Sequence, residues 1–312
     1  MTNEPIGVLL MAMGGPDSLE AVGPYLNDVR GGRPTPPELI EEITERYRVT
    51  GGKSPVLAIT KELAKRLEGR LNAAGAPRFN VYVGLRHWHP SIRETYQGII
   101  KDGVRRLVGV CMAPQNSRMS VGAYIKKVEE AQAESAVPIT FSYVSSWNAH
   151  PVFVRAVAAN IRAALQKFPV EMRPRVPLIF TAHSLPARIL RDDDPYPREV
   201  HGTVDAVVAV ARPQTWRVAF QSQGRSSEPW LGPTVEETLD ELHGLGHRHV
   251  LMAPIGFVSD HVEVLYDIDI EFKKLAADKG MQMERIPMLN ATPPLVETLM
   301  DVITAHLKET GF

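Results

Sequence analysis

Arg105-Arg106-Leu107-Val108-Gly109-Val110-Cys111-Met112-Ala113-Pro114 returns 140 residues later as His247-Arg248-His249-Val250-Leu251-Met252-Ala253-Pro254. Each copy opens on basic residues, runs through a continuous apolar stretch and stops at Ala-Pro. A short apolar run without alternation is how a strand covered on both faces reads, as in a parallel sheet. A predicted helix and a glycine-containing turn precede each run, Asp102-Gly103 in one and Gly244-Leu245-Gly246 in the other, and a predicted helix follows each. The offset is close to half of the 312-residue chain. Matching runs within matching element orders predict a duplicated α/β domain.

Working outward, short β-branched runs alternate with helical periodicity. Strands are expected at Gly7–Met11, Asn80–Leu85, Arg106–Met112, Ile139–Val144, Leu178–Thr181, Arg217–Gln221 and Val250–Ile255. Expected helices include Leu57–Ala74, Ser91–Lys101, Ala123–Ser135, Val152–Gln166, Thr234–Leu245, Val262–Asp278 and Pro294–Lys308. That alternation predicts parallel sheets covered on both faces. Ligands of such sheets bind outside the carboxyl ends of the strands, and two domains side by side predict a ligand cleft between those ends. Residues 14–77 break the rhythm, being far longer than a crossover needs. They hold Gly14-Gly15-Pro16, Arg30-Gly31-Gly32-Arg33-Pro34, a capping-box pattern from Thr35 to Glu38, and Gly51-Gly52-Lys53-Ser54-Pro55. Extra helices joined by tight turns, roofing the strand ends, are expected there.

Composition excludes several classes. Apolar residues make up 44% and charged residues 23%, with a formal net charge of −1, so no global field draws the chain to nucleic acid or anionic lipid. No stretch has the ~18 consecutive apolar residues of a membrane span. Met1–Ile6 lacks a basic region and Val8–Met13 is short for a signal-peptide core, so a cytoplasmic protein is expected. The single cysteine, Cys111, lies in an apolar run and reads as a small buried hydrophobe.

His183, in Thr181-Ala182-His183-Ser184-Leu185-Pro186, stands where one strand runs out. It is either a strand-end histidine held by hydrogen bonds or an imidazole that accepts a proton or ligates a transition metal. Asp260-His261-Val262-Glu263 ends another strand. Beyond it Glu263, Asp267 and Glu271 fall at i, i+4, i+8 on one helix stripe, with Leu265, Ile268, Phe272 and Leu275 on the opposite, buried one. Like charges at that spacing cost about 0.2–0.5 kcal/mol per pair. The stripe is either a solvated acidic face or a carboxylate ladder that loads a divalent cation onto Glu263. His261 is expected to orient a neighbour. His87 and His89, at i, i+2, follow the strand Asn80–Leu85 and give a weak metal signal. Met13-Gly14-Gly15-Pro16 matches no phosphate-binding loop, and Ser184 beside His183 is no hydrolase elbow.

Together Ala182–Pro186, Asp194-Pro195-Tyr196-Pro197, Gln221-Ser222 with Pro229-Trp230-Leu231-Gly232-Pro233, Ser259–Tyr266, Met13–Pro16 and Gly51–Pro55 resemble the ferrochelatases, in family order and across nearly the whole chain. The resemblance implies two similar Rossmann-like domains, residues 1–147 and 148–290, with helix 291–312 returning to the first and a porphyrin in the cleft. It implies a lyase of haem biosynthesis that inserts Fe²⁺, as substrate, into a porphyrin with release of two pyrrole protons. His183 and Glu263 become the catalytic, iron-binding pair. Asp267 and Glu271 become outer members of the metal path, with a second, Mg²⁺-type site among them. Porphyrin contacts fall on Met13, Arg30, Arg46, Tyr47, Ser54, His87 and Tyr124. No organic cofactor, iron–sulfur cluster, nucleic acid or transmembrane segment is implied, and a monomer is expected.

The chain departs from several coproporphyrin-using bacterial relatives in having Met13 where they have tyrosine, and a thioether cannot act as a phenolate ligand. Animal relatives share the methionine. The short roofing segment and Tyr124 resemble the coproporphyrin-using class, so coproporphyrin III is the favoured substrate, with protoporphyrin IX the alternative. A chelatase for another metal or tetrapyrrole, and a non-catalytic haem or metal carrier on the same fold, are the competing readings.

Overall fold

The computed structural model describes residues 4–73, 75, 77–224 and 226–312. The expected helix end at Ala74, the start of the Met1–Ile6 stretch, and Ala76 within the roofing segment lie outside the described residues. The chain forms two compact units, Met1–Trp147 with Asn290–Phe312, and Asn148–Leu289.

In the first unit β1 (Ile6–Ala12), β2 (Phe79–Leu85), β3 (Arg106–Cys111) and β4 (Thr140–Val144) form a parallel sheet in the order β2-β1-β3-β4. Central β1 is buried along its whole length, which its unbroken run Ile-Gly-Val-Leu-Leu-Met-Ala requires, whereas edge strand β4 is largely open. Residues 14–77 form α1 (Val22–Val29), α2 (Pro37–Val49) and α3 (Val56–Ala73), the extra helices expected there. The Thr35–Glu38 capping box does not form. The N-cap falls on Pro36 and the helix starts at Pro37, one residue on, and the Thr35 amide donates instead to Asn27 Oδ1 at 2.8 Å. Helices α4 (Ile92–Lys101) and α5 (Val121–Ala133) belong to the same unit, and Cys111 is buried in its core, its thiol pKa pushed up by desolvation.

In the second unit α6 (Pro151–Leu165) leads into β5 (Leu178–His183), α7 (Tyr196–Ala211), β6 (Trp216–Gln221), α8 (Val235–Gly244), β7 (His249–Pro254) and β8 (Gln282–Arg285). Its sheet, again parallel, runs β6-β5-β7-β8, the same order as the first. Helix α10 (Pro293–Thr310), after this unit in sequence, packs on α3 and β4 of the first.

Three local differences from expectation bear on function. Strand β5 continues two residues past Thr181, so His183 is its last residue and pairs with Gln221. Strand β8 was not expected: four residues without a β-branched side chain, paired on one edge only, carry little strand signal. The helix expected at Val262–Asp278 is a π-helix over Glu263–Phe272 followed by the short α9 (Lys273–Asp278). Wider winding moves the buried stripe to Val264, Ile268, Phe272 and Ala276, leaves Leu265 and Leu275 only half-buried, and buries Asp267 instead.

Candidate functional site

In the second unit the parallel register of β5 and β6 sets His183 beside Gln221 at the strand ends. The chain around His183 is pinned from several sides. The Ser184 amide donates to the Gln221 carbonyl at 2.7 Å, the buried Ser184 hydroxyl donates to the Leu231 carbonyl at 2.8 Å, and the Leu231 amide donates to the Leu185 carbonyl at 2.9 Å. Tyr196, at the start of α7, donates its hydroxyl to the His183 carbonyl at 2.9 Å, and its own amide is held by Asp194 Oδ1 at 3.0 Å. Burial, with the Glu263 and Asp194 carboxylates nearby, pushes the Tyr196 phenol pKa up, so this donor keeps its proton.

Nδ1 of His183 lies against the Ser184 carbonyl, an acceptor only, so in the neutral ring Nδ1 carries the hydrogen and Nε2 presents a lone pair. That lone pair lies 3.7 Å from Glu263 Oε2, and both side chains are partly open to solvent. The separation exceeds a hydrogen bond, so neither group consumes the other. One transition-metal cation at about 2.1 Å from each donor fits between them.

Glu263 is fixed through its backbone. Its amide donates to His261 Nδ1 at 3.2 Å and its carbonyl accepts from Gln221 Nε2 at 3.0 Å. Because His261 Nδ1 accepts, its hydrogen sits on Nε2, which is buried and has no hydrogen-bond partner among the described residues. Burial lowers the His261 pKa, against the pull of the Glu263 carboxylate, and Phe257 packs edge-on at 4.4 Å. His261 thus orients its neighbour from the head of the π-helix.

The remaining carboxylates of the stripe have different surroundings. Asp267 is buried and accepts from the Ser222 hydroxyl at 2.7 Å, while Glu271 is exposed one turn further along. Ser222 holds φ at +59°, a left-handed conformation uncommon for serine, at the point where β6 ends. Among the described residues no group of three or more His, Cys, Asp or Glu side chains is placed to hold a metal. The site offers an open pair of donors.

In the first unit Met13, Tyr47, Ser54 and His87, of the expected porphyrin contacts, lie about the segment that follows β1. The Arg86 amide donates to the Ala12 carbonyl at 2.9 Å and the His87 amide to the Met13 carbonyl at 3.0 Å, leaving the Met13 side chain exposed. Gly14 turns the chain at φ +91°. A Cβ on Gly15 would meet Ser54 Cβ and Oγ at 2.5 Å, with the Tyr47 hydroxyl at 3.4 Å. The Ser54 amide donates to the Pro16 carbonyl at 2.8 Å, so Met13–Pro16 and Gly51–Pro55 meet as one structure. His87 Nδ1 lies 2.8 Å from Asp28 Oδ2 on α1. Burial lowers the His87 pKa against Asp28, and His89 instead faces Glu94 at 2.9 Å, so the two histidines do not converge. Arg30 follows α1 with its Nε buried and unpartnered among the described residues. The Arg86 guanidinium lies 5.6 Å from the centre of the Tyr124 ring, and Arg46 pairs with Glu42 at 3.3 Å.

Residue-level reasoning singled out His183 and Glu263 but missed Tyr196, Gln221 and Ser222 as their supports. Tyr196 lies 13 residues from the carbonyl it holds, and Ser222 45 from its carboxylate. Only their place within the quoted motifs marked them.

A family model described as Ferrochelatase matches residues 5–307. A protein named ferrochelatase from Herpetosiphon aurantiacus is 42% identical over 299 residues, covering 96% of this chain and 98% of its own. One of the same name from Deinococcus radiodurans is 40% identical, covering 100% of this chain and 99% of its own. A coproporphyrin III ferrochelatase from Oceanobacillus iheyensis is 37% identical and covers 99% of each chain. Among solved structures, SirB from Bacillus subtilis with Fe³⁺ is similar at a TM-score of 0.62 and 13% identity, covering 99% of this chain and 98% of its own. At that identity the likeness speaks for the fold alone.

Proposed function

The chain belongs to the ferrochelatase family, whose members insert iron into porphyrin, and from that premise we propose that its substrates are Fe²⁺ and coproporphyrin III, with His183 and Glu263 carrying the chemistry. The observation behind this reading is the Nε2 lone pair of His183, freed by the Ser184 carbonyl and set 3.7 Å from the Glu263 carboxylate.

A free-base porphyrin carries two pyrrole N–H protons, and both leave as Fe²⁺ replaces them; the macrocycle dianion and the cation then form a neutral core. His183 Nε2 accepts the two pyrrole protons in turn and passes each on to solvent, while Glu263 holds the incoming cation or relays those protons. Asp267 and Glu271 lead the cation inward along the π-helix. A second, magnesium-type ion would use those two carboxylates, with water completing its oxygen shell.

The first unit takes the ring's periphery. Arg30 keeps an unspent donor and Arg46 a surface guanidinium, the groups suited to propionate carboxylates. Tyr47, Ser54, His87 and Tyr124 supply polar and aromatic contacts, and Met13 offers an exposed thioether. Coproporphyrin III, with two more propionates than protoporphyrin IX, makes fuller use of this set. Relatives at 35–37% identity named coproporphyrin III ferrochelatase support the choice.

The test is an anaerobic steady-state assay with Fe²⁺ and the two porphyrins in parallel. A higher kcat/KM with coproporphyrin III is expected. A preference for protoporphyrin IX overturns the substrate assignment, and tight binding of either ring without turnover overturns the enzyme in favour of a carrier.

A further inference from the structure

From the wiring of the second unit we infer that Arg285 is a positioning residue for Glu263, acting by clamping both ends of the segment that carries it; this rests on the assignment of Glu263 above.

Arg285 is the last residue of β8 and is largely buried. Its Nε and Nη2 donate to Asp269 Oδ1 and Oδ2, both at 2.8 Å, the planar two-point pairing that only a guanidinium makes. Nη2 also lies 3.5 Å from Asp260 Oδ1, and Nη1 donates to the Ile286 carbonyl at 3.0 Å. Asp260 lies three residues before Glu263 and Asp269 six after it. One side chain therefore ties the loop leaving β7 and the second turn of the π-helix to the sheet edge. Glu263 and Asp267 both lie between the two tied points.

The clamp is tuned to π winding. An α-helix turns about 100° per residue and a π-helix roughly 80°, so over six residues the two differ by about 120°. With Glu263 facing His183, Asp269 meets Arg285 in the wider winding and would swing away from it in the narrower one. Long π-helices are rare because their hydrogen bonding is less favourable, so this one needs an outside restraint. Asp267, whose carboxylate meets Ser222, belongs to the same winding. The short strand β8 thereby gains a role: it presents Arg285 at a fixed height beside the π-helix.

The test compares Arg285→Lys and Asp269→Asn with the parent, using His183→Ala as reference, by steady-state metallation and fluorescence titration of porphyrin. Arg285→Lys keeps the charge and loses the fork. We expect kcat to fall at least ten-fold and KM for Fe²⁺ to rise, with porphyrin Kd within two-fold of the parent. Asp269→Asn should give the same split, and the double variant no further loss. A general folding defect would instead weaken porphyrin binding and activity together, and that result, or unchanged kcat and iron KM, overturns the clamp. Should Arg285→Lys not fold, Asp269→Asn decides by the same criteria. An active His183→Ala would overturn the site assignment itself; an inactive one beside unaffected clamp variants would overturn the clamp alone.

Discussion

His183 owes its chemistry to atoms that are not its own. The Ser184 carbonyl selects the tautomer and the Tyr196 hydroxyl holds the His183 carbonyl, which leaves the Nε2 lone pair available 3.7 Å from Glu263 Oε2. Tyr196→Phe keeps the ring and removes only that donor. A buried carbonyl left unpartnered costs about 1–3 kcal/mol, so the strand end should loosen. We expect a roughly ten-fold lower kcat with porphyrin KM unchanged, read by steady-state metallation. Gly15 is constrained for a different reason: a methyl group there meets Ser54 Cβ at 2.5 Å, and Cβ cannot rotate away. Gly15→Ala should destabilise the first unit by about 1–3 kcal/mol, seen as a lower melting temperature, and adding Ser54→Gly should restore most of it. Of these residues, sequence reasoning found His183 from its place at a strand end. It could not find what fixes the ring, because those bonds arise from strand register and from a segment 13 residues away.

At the scale of elements, the same pattern of legibility recurs. Central β1 is written in an unbroken apolar run, whereas β8 is four residues that no periodicity marks. The sequence predicts an ordinary helix over Val262–Asp278 because its apolar spacing fits both windings over a few residues. Only the burial of Val264 and Asp267, with Leu265 half-exposed, separates them. Ile268, fully buried on that helix, should cost about 2–5 kcal/mol when cut to alanine, measurable by denaturant unfolding. Helix α4 makes a pH prediction. Its Ser91–Glu94 capping box closes with the Ser91 amide donating to Glu94. That bond, then His89, brings the Glu94 pKa down to about 2 from an ordinary 4.5. The folded state thus binds this proton less readily than the unfolded one, so the contribution is complete above pH 4.5 and fades as pH falls toward 2. Glu94→Gln should therefore melt below the parent at neutral pH, and thermal melts of the two should draw together across that acid window.

On the scale of the whole molecule, one sheet plan is used twice, β2-β1-β3-β4 and β6-β5-β7-β8, and the corresponding central strands end on different chemistry. Beyond β1 stand an exposed thioether and a glycine turn; at the end of β5 stands an imidazole facing a carboxylate. The Ala-Pro repeat exposed the duplication because buried parallel strands must be apolar throughout, and that pattern survives where surface residues have diverged. The division of labour did not show in the repeat, since it resides in the residues just past each strand. The central claim is that the His183–Glu263 pair performs the metallation. It is tested most directly by His183→Ala, assayed anaerobically with Fe²⁺ and excess porphyrin, with porphyrin Kd measured alongside. Turnover should fall by about 10²-fold or more, the scale of a lost proton acceptor, at unchanged porphyrin affinity; full turnover at unchanged affinity would rule the pair out.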